Sequence, residues 1–281
     1  MSILQSVKLS STVQKGIRCV IGGVEKVGKT TMACLSPRPL HVPLEQGFKP
    51  IPCHETPMLT SYYDVIGLLN EAIAAKQKNA FPFGSIVFDS GTALERLIHD
   101  AVLQSDPSWA KGNKKALTME SALGGYGKAY TYANELFSGF LYLCDQLAEH
   151  GGINIIITCH VFAAKVIDPA YGEYDTWDLL LHSPKNNKTY GKREIITQWA
   201  DLIGFLHEPL FILKGDDKSN FQQGVSANKG RILGIERTPG YVAGNRFGMK
   251  GEIAIPREKA WNYLAQAIHA ACGLDVFNRE I

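Results

Sequence analysis

Apolar residues follow two rhythms along the first 160 positions of the chain. Short runs at Ile17 to Ile21, Pro39 to Leu44, Ser85 to Phe88 and Ile153 to Thr158 carry the continuous hydrophobicity of strands buried on both faces. Between these runs the spacing changes to three and four. Ser61 is placed to cap a helix bearing Val65, Leu68, Leu69, Ala72 and Ile73, with Asp64 in the first turn where the helix dipole favours an anion. A second helix is predicted from about Tyr132 to Glu149, with Leu136, Phe140, Leu143 and Leu147 on one side and Gly151 and Gly152 ending it. Strands alternating with helices predict an α/β fold, a twisted, mostly parallel sheet flanked by helices.

After His160 the rhythm changes. Leu202 to Leu206, Leu210 to Leu213, Ile232 to Arg237 and Tyr241 to Ala243 read as strands joined by turns, expected to extend the same sheet with antiparallel pairing at its C-terminal edge. A last helix from about Arg257 to Cys272 buries a stripe of Trp261, Leu264, Ala265, Ile268 and Cys272. The expected organisation is a short N-terminal extension, residues 1–16, and a single domain over 17–281.

Composition narrows the class of protein. Hydrophobic residues at 45% and charged residues at 20% are those of a globular chain, and a net charge of +2 is too small for a polyanion-coating protein, so a nucleic-acid surface has to be local. The six cysteines form no Cys-x-x-Cys pair, and neither a signal peptide nor an apolar run of membrane-spanning length is present. These features predict a cytoplasmic protein with no membrane partner.

The strongest chemical signal is Gly23-Val24-Glu25-Lys26-Val27-Gly28-Lys29-Thr30, followed by Thr31 and lying directly after the first strand run. It is a phosphate-binding loop in its required strand-to-helix setting. Glycines let successive N–H groups turn inward toward phosphate oxygens, Lys29 is predicted to reach the β and γ phosphates, and the Thr30 hydroxyl to ligate magnesium. Residues 23–31 are therefore the expected binding site for ATP with Mg. The second signal is the apolar run ending in Phe88-Asp89-Ser90. A carboxylate at the end of a neighbouring strand can hold the metal beside Thr30, although Asp89 could equally cap a helix over Ala93 to Val102.

From these residues onward the chain resembles a family. Asp89-Ser90-Gly91-Thr92-Ala93-Leu94 is similar to the corresponding segment of RecA-type ATPases. Cys159-His160, Ile167-Asp168-Pro169, Tyr174-Asp175, Ile196 to Asp201, Gly230 to Leu233 and Gly244 to Gly248 then follow in an order that resembles the phage-encoded RecA-like proteins, a core-only branch linked to single-strand annealing and recombination.

The resemblance implies a P-loop ATPase with slow, DNA-stimulated hydrolysis. It implies that Glu45 orients the attacking water, that His160 senses the γ-phosphate, and that Arg246 acts on ATP held by an adjacent subunit of a homo-oligomer, ring or filament. Each has a plainer reading, as a loop acid, a structural histidine and a surface-paired arginine. Two polar stretches lie where that fold places DNA-binding loops. The first, Ser108 to Lys128, contains Lys111, Lys114, Lys115, Tyr126 and Lys128, and the second, Val161 to Glu194, contains Lys185, Lys188, Tyr190, Lys192 and Arg193. Cations with interspersed tyrosines suit single-stranded DNA, through phosphate pairing and base stacking, although solvated lysines are the commoner occupants of loops. The implied setting is recombination, annealing or replication of phage DNA in the cytoplasm of an infected bacterium, in company with a single-strand binding protein. A helicase-related motor or loader, and a nucleotide-gated DNA-binding adaptor without hydrolysis, are the alternatives.

Overall fold

The computed structural model describes residues 16–47, 51–112, 117–184, 190–214, 222–226 and 230–276. In chain order the first half runs β1 (Arg18–Gly22), α1 (Lys29–Ala33), β2 (Pro39–Pro43), β3 (His54–Glu55), α2 (Tyr62–Gln77), β4 (Ser85–Asp89), α3 (Gly91–Ser105), α4 (Pro107–Ala110), α5 (Lys128–Asp145) and β5 (Asn154–Cys159). There follow β6 (Val161–Asp168), β7 (Gly172–Leu179), α6 (Lys192–Trp199), β8 (Leu202–His207), β9 (Leu210–Lys214), β10 (Gln222–Ser226), β11 (Arg231–Gly234), β12 (Gly244–Asn245), β13 (Glu252–Ile255) and α7 (Ala260–Cys272).

The main sheet has the order β13-β11-β8-β1-β5-β4-β2-β3. From β8 to β3 every pairing is parallel, with Val20 opposite Ile157 and Phe88 opposite the other side of the same Ile157. Both faces of these strands are covered, which is why their sequences are apolar throughout rather than alternating. One face packs Val20, Phe88 and Ile155 against Leu69 of α2, Ile98 of α3 and Phe137 and Phe140 of α5. The other packs Ile21, Val87 and Leu206 against Met32 of α1 and Trp261, Leu264 and Ile268 of α7. β11 and β13 are antiparallel, as the C-terminal pattern predicts.

Ser61 caps α2 as expected, its Oγ accepting from the Asp64 N–H at 3.1 Å. Three features depart from expectation. Val161 to Leu179, read as polar loop, forms the antiparallel hairpin β6–β7, a separate two-stranded sheet. Its strands alternate exposed and half-buried positions, because only one face has the core behind it. β9 pairs only with β10, outside the main sheet. Tyr241 to Ala243 form no strand; Tyr241 bridges to Trp177 instead, tying this turn to the hairpin. No helix among the described residues is long and apolar enough to cross a membrane.

Candidate functional site

Parallel strands deliver their C-terminal ends to one edge of a sheet, and ligands collect there. Here the segments leaving β1, β2, β4 and β5 carry, in turn, the phosphate loop, Glu45, Asp89 with Ser90, and His160. Four residues far apart in sequence therefore converge because the strands between them are parallel and adjacent.

The loop turns at Gly28, whose φ of 102° is costly for any residue with a Cβ. Lys29 begins α1 and is buried; its Nζ donates to the carbonyls of Gly23 and Val24, each at 2.8 Å. Burial lowers the Lys29 pKa, against the opposing pull of Asp89 and Glu25. A buried ammonium held by two carbonyl oxygens of its own loop is a cation for which a phosphate would be a stronger partner. Thr30 Oγ1 donates to Asp89 Oδ2 at 2.7 Å. Asp89 also accepts from Thr158 Oγ1 and lies 3.3 Å from His41 Nε2. Burial disfavours the charged carboxylate, but these hydrogen bonds outweigh it and hold Asp89 below its ordinary pKa. An ionised carboxylate touching a hydroxyl, both hard oxygen donors, fits magnesium, with phosphate and water oxygens completing its shell. The described residues offer no cluster of three His, Cys, Asp or Glu, so no all-protein metal cage competes with that arrangement.

Glu45 is the hub of the second layer. Its Oε1 accepts from Ser90 Oγ at 2.7 Å and faces His160 Nε2 at 3.0 Å, while Oε2 accepts from Arg96 Nη2 at 3.0 Å. The hydrogen bond with His160, helped by that of Ser90, lowers the Glu45 pKa against the effect of burial. His160 Nδ1 lies 3.9 Å from Glu25 of the phosphate loop. Its backbone is fixed as well: its N–H donates to Thr92 Oγ1 at 3.2 Å, and Leu180 N–H donates to its carbonyl at 2.8 Å. His160 thus links the phosphate loop, Glu45 and the end of β7. Ser90 also caps α3, accepting from Ala93 N–H at 3.2 Å, so the capping role considered for Asp89 falls to its neighbour. His41, Thr158 and Arg96 complete the site without having been singled out in the sequence. Thr158 and His41 lie inside apolar runs that read as core, and Arg96 is one of many surface-type cations.

Arg246 is placed elsewhere. It follows β12, which pairs antiparallel with the start of β8, so within the protomer it sits at the opposite edge of the sheet from the phosphate loop. Its Nη1 meets Asp201 Oδ1 at 3.2 Å, its Nη2 donates to the Gln198 carbonyl, and Asp201 is shared with Arg18 at 2.7 Å. Its partners are those of the surface-paired arginine of the plainer reading, where one carboxylate and a carbonyl satisfy the guanidinium.

The proposed DNA residues divide in the same way. Lys111, Tyr126, Lys128 and Tyr190 are exposed, Tyr126 almost completely at 99%. Lys114, Lys115, Lys185 and Lys188 lie outside the described residues. Lys192 corrects the expectation: it is 0% exposed, 3.4 Å from Glu95 and 3.1 Å from His99 Nε2, and so is unable to meet a phosphate on the surface. Arg193 is half-buried and paired with Asp178 at 2.9 Å and Glu194 at 3.2 Å. The first stretch leads into α5 at Lys128, its Glu120 accepting from the Tyr130 hydroxyl at 2.7 Å, and the second stretch touches the same helix. Tyr130 stacks on His182 with ring centroids 4.1 Å apart, and Asn134 Nδ2 donates to the Tyr190 carbonyl at 2.9 Å.

A glycine-cornered loop between a parallel strand and a helix, with its lysine buried and its threonine bound to the carboxylate of a nearby strand, defines a P-loop nucleotide-binding protein of the ATPase class. Residues 15–247 match the family model described as an AAA domain, and the chain belongs to that family. No curated protein matches the chain. Among solved structures, the one titled "Crystal structure of the RadB recombinase" aligns over 88% of this chain and 90% of that chain, at 14% sequence identity and a TM-score of 0.45.

Proposed function

We propose that this protein is a RecA-like ATPase that binds ATP with magnesium, hydrolyses ATP slowly and holds single-stranded DNA, acting as a homo-oligomer in phage recombination, annealing or replication. The observation that carries the reading is the convergence of Thr30, Asp89, Glu45 and His160 on the phosphate loop.

Hydrolysis is an in-line attack of water on the γ-phosphorus, in which positioning and charge stabilisation do most of the work. Lys29 exchanges its two carbonyls for phosphate oxygens and neutralises charge there. Thr30 and Asp89 would hold magnesium, which when bound would offset the negative charge of the phosphate oxygens. Glu45, whose charged form is favoured by its hydrogen bonds with His160 and Ser90, accepts a hydrogen bond from the attacking water and orients it. His160 donates toward the terminal phosphate or toward Glu45, according to nucleotide state.

The contact of both basic stretches with α5 supports the DNA reading, with Lys111, Lys128, Tyr126 and Tyr190 as its exposed members. Lys192 and Arg193 support it from beneath, as anchors of the segment. Phosphate release from ATP, measured with and without oligonucleotide, tests the whole reading. Turnover that DNA stimulates is expected; ATP binding without turnover would favour the adaptor, and absence of ATP binding would end the proposal.

A further inference from the structure

Arg231 opens β11, two strands away from β1 across β8, yet its guanidinium reaches back to the phosphate loop. A Cβ placed on Gly28 would collide with Arg231 Nη1 and Cζ and fall 2.6 Å from Nη2, so the planar head lies flat against the loop's turning glycine. Gly28 is required twice, once by its left-handed backbone and once by this approach.

No carboxylate among the described residues lies within ion-pair distance of that head. Glu208 attracts it from farther away, while burial and the neighbouring Arg257 act against its charge. By contrast, Arg18, Arg96, Arg193, Arg237 and Arg246 each meet a carboxylate. A half-desolvated guanidinium without such a partner is costly unless an anion arrives to complete it. Beyond Arg231 lies a cavity of about 410 Å³, lined also by Ile232, Ile255, Pro256 and Tyr263. That is room for a nucleoside, with apolar walls and one aromatic face.

The flank of the loop on which Arg231 sits decides which phosphate it meets. Glu45, Asp89 and His160 follow β2, β4 and β5, all on one side of β1, and mark the end of the site where the γ-phosphate reacts. Arg231 comes from the other side. We propose that Arg231 is a cis-acting binding residue for the α- and β-phosphates of the nucleotide, whose nucleoside occupies the cavity between β11 and α7. The inference rests on the nucleotide-binding reading above and adds to it a residue and a direction for the ligand. A contact made equally to ATP and ADP is uniform binding, which strengthens both without favouring the transition state.

Isothermal titration with ATP and with ADP, each with magnesium, tests it on wild-type protein and on Arg231→Ala. Charge-assisted hydrogen bonds of this kind correspond to a loss of about tenfold or more in affinity. The expected result is a rise in Kd of that size, the same for both nucleotides, with part of the affinity restored in Arg231→Lys. An unchanged Kd, or a loss confined to ATP, overturns the proposal. Chemical protection on the unmodified protein gives a second measurement, independent of whether a variant folds. Phenylglyoxal modification of Arg231, read by peptide mass spectrometry, should fall when ADP is added, while that of the exposed Arg237 should not. Equal modification of Arg231 with and without bound ADP also overturns it. If wild-type protein binds neither nucleotide, the nucleotide-binding reading itself fails, a different result from an Arg231 variant that binds as well as wild type.

Discussion

Lys192 offers a test in which two readings of one residue give opposite results. Its ammonium is 0% exposed and faces Glu95, whose side chain is 12% exposed, at 3.4 Å, with His99 as its other neighbour. Burial lowers the Lys192 pKa, and the charge of Glu95 opposes that shift. Lys192→Ala removes one charge of a buried pair and leaves Glu95 without its cation, a change that costs about 3–5 kcal/mol. For a chain of this size each kcal/mol lowers Tm by about 2–4 °C, so the variant should melt roughly 10 °C or more below the parent. Lys192→Met, which keeps the stem's packing, should lose the charge pair but leave a smaller void. Differential scanning calorimetry gives the Tm, and fluorescence anisotropy with a labelled oligonucleotide across a salt series gives DNA affinity. The folded variant should show the parental salt slope. A Lys192→Ala protein that melts with the parent while its salt slope drops by about one would mean that the ammonium reaches DNA phosphates, and the buried pair would be the wrong description.

Other expectations follow from the same geometry. Lys29→Ala should weaken ATP binding, whereas Glu45→Gln should bind ATP as the parent does and lose turnover; parental hydrolysis by Glu45→Gln in a phosphate-release assay would remove Glu45 from its role. His99 is pushed down to about 3, first by burial and then by Lys192, with His182 acting in the same sense and Glu120 against it. Its folded pKa lies below its unfolded one, so the unfolded chain takes up the extra proton, and the stability due to His99 is complete above about pH 6.5 and drains as pH falls toward 3. The slope approaches about 1.4 kcal/mol per pH unit in that window, and urea titrations of His99→Phe should show a shallower one. Arg246→Ala should lower stability by no more than about 1 kcal/mol, because its ion pair with Asp201 is solvent-screened, and mixing it with Lys29→Ala subunits should not restore turnover. Recovered hydrolysis in the mixture would give Arg246 the trans role that its pairing within the protomer argues against.

The parallel half of the sheet was legible because strands buried on both faces have no alternative but continuous apolar sequence. The phosphate loop and Asp89 were legible for a related reason, since each ends such a strand, while Glu45 came into view only through the resemblance to RecA-type ATPases. The hairpin β6–β7 was not. Lys165, Asp168, Glu173, Asp175 and Asp178 give it the polarity of a loop, and its alternating pattern is shallow where one face is open to solvent. Lys192 was misread because the run from Lys185 to Arg193 contains no acid; the acid that neutralises Lys192 stands on α3, nearly a hundred positions earlier. Arg231 gave no signal of its own, because its place against Gly28 depends on an antiparallel strand two positions away across the sheet.

α3 begins at the residue after Ser90, the partner of Glu45, and about one turn later presents Glu95 to Lys192. Glu95 also accepts from the His182 N–H at 2.8 Å. One short, stiff rod therefore has its foot among the groups proposed to meet ATP and its side bolted to the segment that leads to Tyr190. Any nucleotide-dependent tilt of the foot carries the bolt with it. If the tilt alters DNA affinity by some factor, DNA must alter ATP affinity by that same factor, because the free energy of the linkage has no preferred direction. The nucleotide end and the polyanion end would then be two handles on a single lever.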